Sequence, residues 1–323
     1  PLCREGASFG SSGHLRFKNK YVEGLIYLLA GMLAVYLSYY VPALAVLLVL
    51  FSIPCTIMGY RYSVVESVVF LGVMTAFLII IKDMVSIIPV LTSGLCGVSM
   101  GYMLKARQPA TDIVKYGFLV TFISLVGVFG VYSKFFHMNI LQEFADYLPK
   151  IVQTTMDTYK SVGIGGQDLK VLKSVLDQTV KFIGMSIPFD ILLYSVATAL
   201  AGFMLTGLFL KHADIPRLKP FSQWTVSRKL VYVFIVVYII EAILHANNTV
   251  YMVTFNILLA LSAVFIVEGY SLLAFFMKRR GMRPWLQVLI VLISLYIPIF
   301  VFILMGAGVL DSSFDFRHLK RKG

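Results

Sequence analysis

The sequence predicts an all-α fold: a polytopic membrane bundle of eight or nine transmembrane helices, with an amphipathic helical hairpin on the outer side. Three observations carry this. Of the 323 residues, 59% are hydrophobic and 14% charged, against about 25% charged in soluble domains. The mean hydropathy is +0.86, which leaves too little polar surface to clothe a water-facing globule. The apolar residues also fall into runs close to the ~20 that a helix needs to cross a bilayer core. These runs are too long and too weakly alternating for barrel strands.

The elements follow in order. Residues 1–22 are polar and lack a core-forming pattern, so they read as a flexible cytoplasmic lead. Five apolar runs fill 23–135, at 23–40, 42–60, 63–81, 84–104 and 113–135. The second run follows the first at once with no A-x-A-like cleavage site between them, so the first is a span and not a secretory signal. In 136–186, Leu141, Phe144, Leu148, Ile151, Val152, Met156 and Tyr159 share one helical face. Leu169, Leu172, Val175, Leu176, Thr179, Val180 and Ile183 share another. Gly163, Gly165 and Gly166 separate the two, which predicts an extracytoplasmic hairpin acting as a lid or a structural cap. Four further runs occupy 187–307, at 187–210, 229–244, 250–277 and 285–307, with a basic cytoplasmic loop at 211–228 and a basic tail at 308–323.

Lysine and arginine exceed aspartate and glutamate by 12. They cluster between apolar runs, as the positive-inside effect requires, so the partner is the lipid bilayer and not nucleic acid. With a cytoplasmic amino end, 17 of the 28 basic residues lie inside. Arg317, Lys320, Arg321 and Lys322 lie outside in a nine-span arrangement and inside in an eight-span one.

Much chemistry is excluded by absence. There is no G-x-x-x-x-G-K-[ST] loop, no H-E-x-x-H and no C-x-x-C. Cys3, Cys55 and Cys96 are too few for a disulfide framework, and His14, His137, His212, His245 and His318 are too dispersed for a ligand cluster. No catalytic residue, metal or cofactor is expected, and the chain reads as a non-enzyme. The candidates are ionisable residues in or beside spans, where charge is expensive. Glu268, about ten residues before Lys278-Arg279-Arg280, is either a site residue or an interhelical hydrogen-bond partner. Glu66 lies five residues after Arg61 and is expected to pair with it. Towards the outer side, Lys82, Asp83, Asp190, Glu241, His245, Asn247, Asn248 and Asn256 accumulate. Of these, Asp190, Glu241, His245 and Asn256, together with Glu268, are the candidate solute-binding residues. Ser93, Gly97 and Gly101, then Ala197, Ala201 and Gly202, and finally Ala30 and Ala34 mark close helix crossings.

Ser52-Ile53-Pro54 leading to Gly59-Tyr60-Arg61-Tyr62, Gly101-Tyr102-Met103-Leu104, Ile187-Pro188 and the Trp224 loop resemble the YybS-like family of uncharacterised bacterial integral membrane proteins. Glu268-Gly269-Tyr270 with Leu273-Ala274-Phe275-Phe276, and Gly308-Val309-Leu310-Asp311 with Asp315-Phe316-Arg317, resemble its closing motifs. The resemblance implies a bacterial cytoplasmic membrane protein whose residues 23–135 are similar to the substrate-capture components of energy-coupling-factor transporters. It further implies a transmembrane coupling subunit docked on Ala30 and Ala34, with separate ATPases as partners. The outer hairpin and the later spans exceed that minimal capture fold. A transport subunit for a small solute is therefore expected, with a non-transporting scaffold or regulator of envelope or signalling machinery as the alternative.

Overall fold

Inside a bilayer no water is present to bond a backbone N–H or C=O, so each apolar run must satisfy its own polar groups by coiling into a helix. The computed structural model describes residues 20–41, 44, 46–81, 83–135, 140–161, 166–210, 215–244 and 248–317. The helices are α1 (Lys20–Tyr40), α2 (Val46–Val49), α3 (Ser52–Arg61), α4 (Val64–Ile80), α5 (Met84–Lys105), α6 (Ala110–Phe135), α7 (Ile140–Ser161), α8 (Gly166–Phe209), α9 (Arg228–Leu244), α10 (Asn248–Arg279), α11 (Pro284–Leu295) and α12 (Pro298–Phe314).

Among the described residues, five helices are long and apolar enough to cross a membrane, and six if α11 and α12 count as one span. Nine full spans are thus not confirmed among the described residues. The second run divides into α2 and α3. The last divides into α11 and α12, which bend through 110°. Pro298 is the cause, because a proline disfavours helical geometry in the residue before it. Ile297 is accordingly extended, at φ −112° and ψ 99°.

The hairpin also differs from expectation. Its second half is continuous with the following span, forming the 44-residue α8, about 66 Å long at 1.5 Å per residue. Pro188 lies inside this helix without ending it. In α7, Leu148 and Val152 are buried while Tyr147, Ile151 and Tyr159 are exposed. Gly163 and Gly165 fall outside the described residues.

The chain divides into two units, residues 1–121 with 198–215 and residues 122–197 with 216–323. In the first, α5 packs on α2 and α3 through Ser93, Gly97 and Gly101, where their spacing leads one to expect a close helix crossing. Ser93 Oγ donates to Leu48 O at 3.0 Å. A β-carbon on Gly97 would overlap the carbonyl oxygen of Ser52, and one on Gly101 would lie 2.8 Å from Thr56 O. Gly202 approaches Ser52 Oγ in the same way, at 2.6 Å for an added β-carbon. With the backbones this close, Phe51 stacks on Phe70 at 5.3 Å over a core holding Leu71, Met74, Leu78 and Val90. Caps fix the helix starts: Ser63 accepts from Glu66 N and Asp83 from Ser86 N.

In the second unit, Val231, Leu261 and Phe265 form the core between α9, α10 and α12, with Phe234 edge-on to Phe265 at 5.5 Å. Outward faces remain apolar: Leu25, Leu29 and Leu33 on α1, Ile235, Ile239 and Ile243 on α9, and Ile299 and Phe302 on α12 are exposed. Apolar surface on this scale belongs in lipid.

Gly97→Ala is expected to destabilise the protein by about 1–3 kcal/mol, because the methyl group cannot enter without separating α3 from α5. Gly72→Ala, whose β-carbon would meet nothing within 4 Å, is expected to stay within about 0.5 kcal/mol of wild type. Thermal unfolding of the two variants in one detergent checks this.

Candidate functional site

Glu268 is 1% exposed, so its carboxylate must find partners in the protein. Glycines bring them close. A β-carbon on Gly269 would overlap Leu304 O and one on Gly308 would overlap Phe265 O, so α10 and α12 cross with their backbones in contact. That crossing sets Ser312 and Asp311 beside Glu268. Glu268 Oε2 accepts from Ser312 Oγ, and Oε1 accepts from Val226 N at 3.1 Å.

The cation is supplied by the residues after α12. Asp315 caps the helix in the left-handed region, at φ 51°, a conformation that aspartate tolerates better than most residues. The chain then turns so that Arg317 reaches back. Its Nε and Nη2 donate to Asp311 Oδ2 at 2.9 and 2.6 Å. Nη1 donates to Ser222 O at 3.1 Å and Ser271 Oγ at 2.8 Å, and Nη2 donates to Trp224 O at 2.9 Å. Glu268 Oε1 lies 3.6 Å from Nη2. Ser271 Oγ in turn donates to Phe221 O at 2.6 Å. Two acids, one guanidinium and the turn at Phe221–Gln223 thus close a buried cluster on α10 and α12.

A second buried acid lies in the other unit. Glu23 of α1, 1% exposed, accepts from Arg61, from Tyr27 Oη at 2.8 Å and from Tyr62 Oη at 2.6 Å. Lys105 Nζ donates to Tyr62 O at 2.5 Å. Arg61 therefore meets Glu23, while Glu66 joins Ser63 in the cap of α4.

The outer candidates sit elsewhere. Asn256 Nδ2 donates to Met185 O at 2.8 Å and its Oδ1 accepts from Phe189 N at 3.0 Å. These two backbone groups bond to each other in an unbroken helix, so the Asn256 carboxamide bridges α8 beside Pro188. Asp190 is exposed and accepts from Ser186 Oγ at 2.8 Å. Asn256 lies twelve residues before Glu268 on α10, about 18 Å along the helix, so the two belong to separate places. Glu241 is half-buried on α9. His245 lies outside the described residues. Ala30 is on the exposed side of α1, and Ala34 is half-buried against the cluster that contains Val35.

No group of three or more His, Cys, Asp and Glu suited to a metal occurs among the described residues. Open clefts among the described residues include one of about 660 Å³ lined by Thr225, Ser227, Arg228, Lys229 and Tyr232, and one of about 490 Å³ lined by Tyr102, Gln108, Asp112 and Tyr116.

Sequence reasoning missed Glu23, Asp311 and Arg317 as site residues. The available signal was an acidic residue at the end of an apolar run with an arginine six residues later, both within the closing motif. That motif, Glu268-Gly269 and the Trp224 loop meet at this cluster. The family described as "Predicted membrane protein (DUF2232)" matches residues 28–312. The chain belongs to this family. The uncharacterized protein YybS of Bacillus subtilis (strain 168) is 22% identical over 302 residues, covering 92% of this chain and 97% of that protein. No solved structure matches. The match to this family takes in Glu268 and Asp311 and stops before Arg317.

Replacing Arg317 by methionine keeps bulk but leaves Glu268 and Asp311 without their buried cation, a loss expected to destabilise by about 3–5 kcal/mol. Lys160→Ala, which removes a solvent-exposed pair with Asp157, is expected to change stability by less than about 0.5 kcal/mol. Chemical unfolding of both variants reads the difference.

Proposed function

We propose that this protein is a transport subunit of the bacterial cytoplasmic membrane that takes up a small solute. The observation that carries the reading is the buried acid–arginine cluster on α10 and α12, next to the broken pair α11–α12. Transporters use interrupted helices and buried ionisable residues to hold solutes and coupling ions inside a bilayer, whereas a purely structural span needs neither. Asp190 and Glu241 are the solute contacts on the outer side, and His245, outside the described residues, is assigned to the same role from the sequence. Asn256 keeps α8 continuous there, and Glu268 belongs to the inner cluster.

The chain has no phosphate-binding loop, so energy comes from outside it, from a transmembrane coupling subunit and separate ATPases. Leu25, Leu29, Ala30 and Leu33 on the exposed face of α1 offer the docking surface, with Ala34 turned towards this chain's own core. In topology, the membrane is crossed eight times and α11–α12 is a re-entrant pair. Arg317 bonds Ser222 O and Trp224 O in the loop between α8 and α9, which supports a carboxyl end on the same cytoplasmic side as that loop. This arrangement places 21 of the 28 basic residues inside. A scaffold reading is favoured by one observation, the open clefts at Thr225–Tyr232 and Tyr102–Tyr116, which in this topology border cytoplasmic loops and would offer a partner a place to dock.

Uptake profiling of a deletion strain separates the two. The transport reading expects loss of uptake of one solute class, restored by the wild-type gene and not by the Asp190→Asn/Glu241→Gln double variant. Unchanged uptake of every solute, with a stable complex of envelope proteins, contradicts it.

A further inference from the structure

The cluster around Arg317 is out of charge balance. Glu268 and Asp311 bring two carboxylates, and among the described residues Arg317 is the one cation buried with them. Asp311 Oδ2 receives both Nε and Nη2 of Arg317. Asp311 Oδ1 is buried and has no hydrogen-bond partner, in a residue that is 1% exposed. An unpaired carboxylate oxygen in such a place is strongly disfavoured unless something positive reaches it.

The groups facing it come from every element packed there. Glu268 and Ser271 come from α10, Asp311 and Ser312 from α12, and the carbonyls of Phe221, Ser222 and Trp224 with the N–H of Val226 from the segment before α9. Arg228 and Lys229, just beyond Val226, are exposed. Asp315 is at the cap of α12.

We propose that this cluster is a binding site for one small monovalent cation, a proton or a sodium ion, taken at Asp311 Oδ1. Single charge follows from the imbalance of one: a divalent ion would leave the buried cluster positive. A donor set of three acids, histidines or cysteines is also lacking among the described residues. A proton needs only Oδ1, whereas a sodium ion would add oxygens from the hydroxyl and carbonyl groups around it. Occupancy neutralises the contact between α10, α12 and Arg317, so the same ion holds the broken helix pair in place. The site does not depend on transport, since a scaffold protein with these residues would bind the same ion.

The test uses the full chain in lipid nanodiscs. One arm follows the unfolding temperature in sodium chloride against choline chloride at equal ionic strength. The other follows the carbonyl band of a protonated carboxyl group in infrared difference spectra between acid and alkaline buffer. The proposal expects either a saturable sodium-specific rise or a titrating carboxyl band, lost in Asp311→Asn with helix content retained. A sodium effect assigns the ion as sodium and a carboxyl band assigns it as a proton. If Asp311→Asn does not fold, Ser312→Ala is read instead and is expected to shift the midpoint of the same signal by about threefold or more in ion concentration. Neither signal in wild type, a signal unchanged in Asp311→Asn, or an unmoved midpoint in Ser312→Ala overturns the proposal.

Discussion

Arg317 is the residue on which the second unit depends. A guanidinium has five donors in a fixed plane, and here it meets Asp311, Ser271, two backbone carbonyls and the edge of Glu268 at once. Removing it leaves two buried carboxylates facing each other. Its placement requires three local features in series: the glycine crossing of α10 and α12, the left-handed Asp315 cap, and the turn at Phe221–Gln223 that presents carbonyls. Each is short-range, and together they bring residues from three separate stretches of chain to one point.

Both units follow the same rule, in which closeness of backbones comes before chemistry. In the first, Gly97 and Gly101 let α5 touch α3. In the second, Gly269 and Gly308 let α10 touch α12. Lipid does not drive helices together as water does, so association rests on close packing and interhelical hydrogen bonds. The outward apolar faces of α9 and α12 are the kind of surface that lipid covers. The same reasoning explains Asn256, whose carboxamide gives the backbone groups of Met185 and Phe189 beside Pro188 a hydrogen-bond partner within the protein.

Composition and run length made the helical membrane class legible, because lipid as solvent leaves its mark on every span. Four-residue spacing of Ser93, Gly97 and Gly101 likewise marked a close helix crossing, though not the helices it would meet. Glu268 stood out because a carboxylate deep in an apolar run has no cheap explanation. What pairing it would make was not legible, since Arg317 is 49 residues further on and near the end of the chain. The bend at Pro298 was hidden inside an apolar run, and Pro188 read as a start to the sixth span because its rescue by Asn256 lies 68 residues away in sequence. Hydropathy reports what a segment is soluble in, and is silent on where a proline is bridged and where it bends the chain.

The basic tail gains an explanation from the same contact. A nine-span arrangement places Arg317 and the three basic residues after it on the wrong side for the positive-inside effect. The bond from Arg317 to the loop between α8 and α9 removes that conflict if α11 and α12 enter and leave on one side. Labelling of a single cysteine at position 316 with a membrane-impermeant maleimide tests this most directly, in a Cys3→Ser background where Cys55 and Cys96 are buried. The account predicts that Phe316→Cys is labelled in inverted vesicles and protected in right-side-out ones. Labelling from the outer side alone would contradict it.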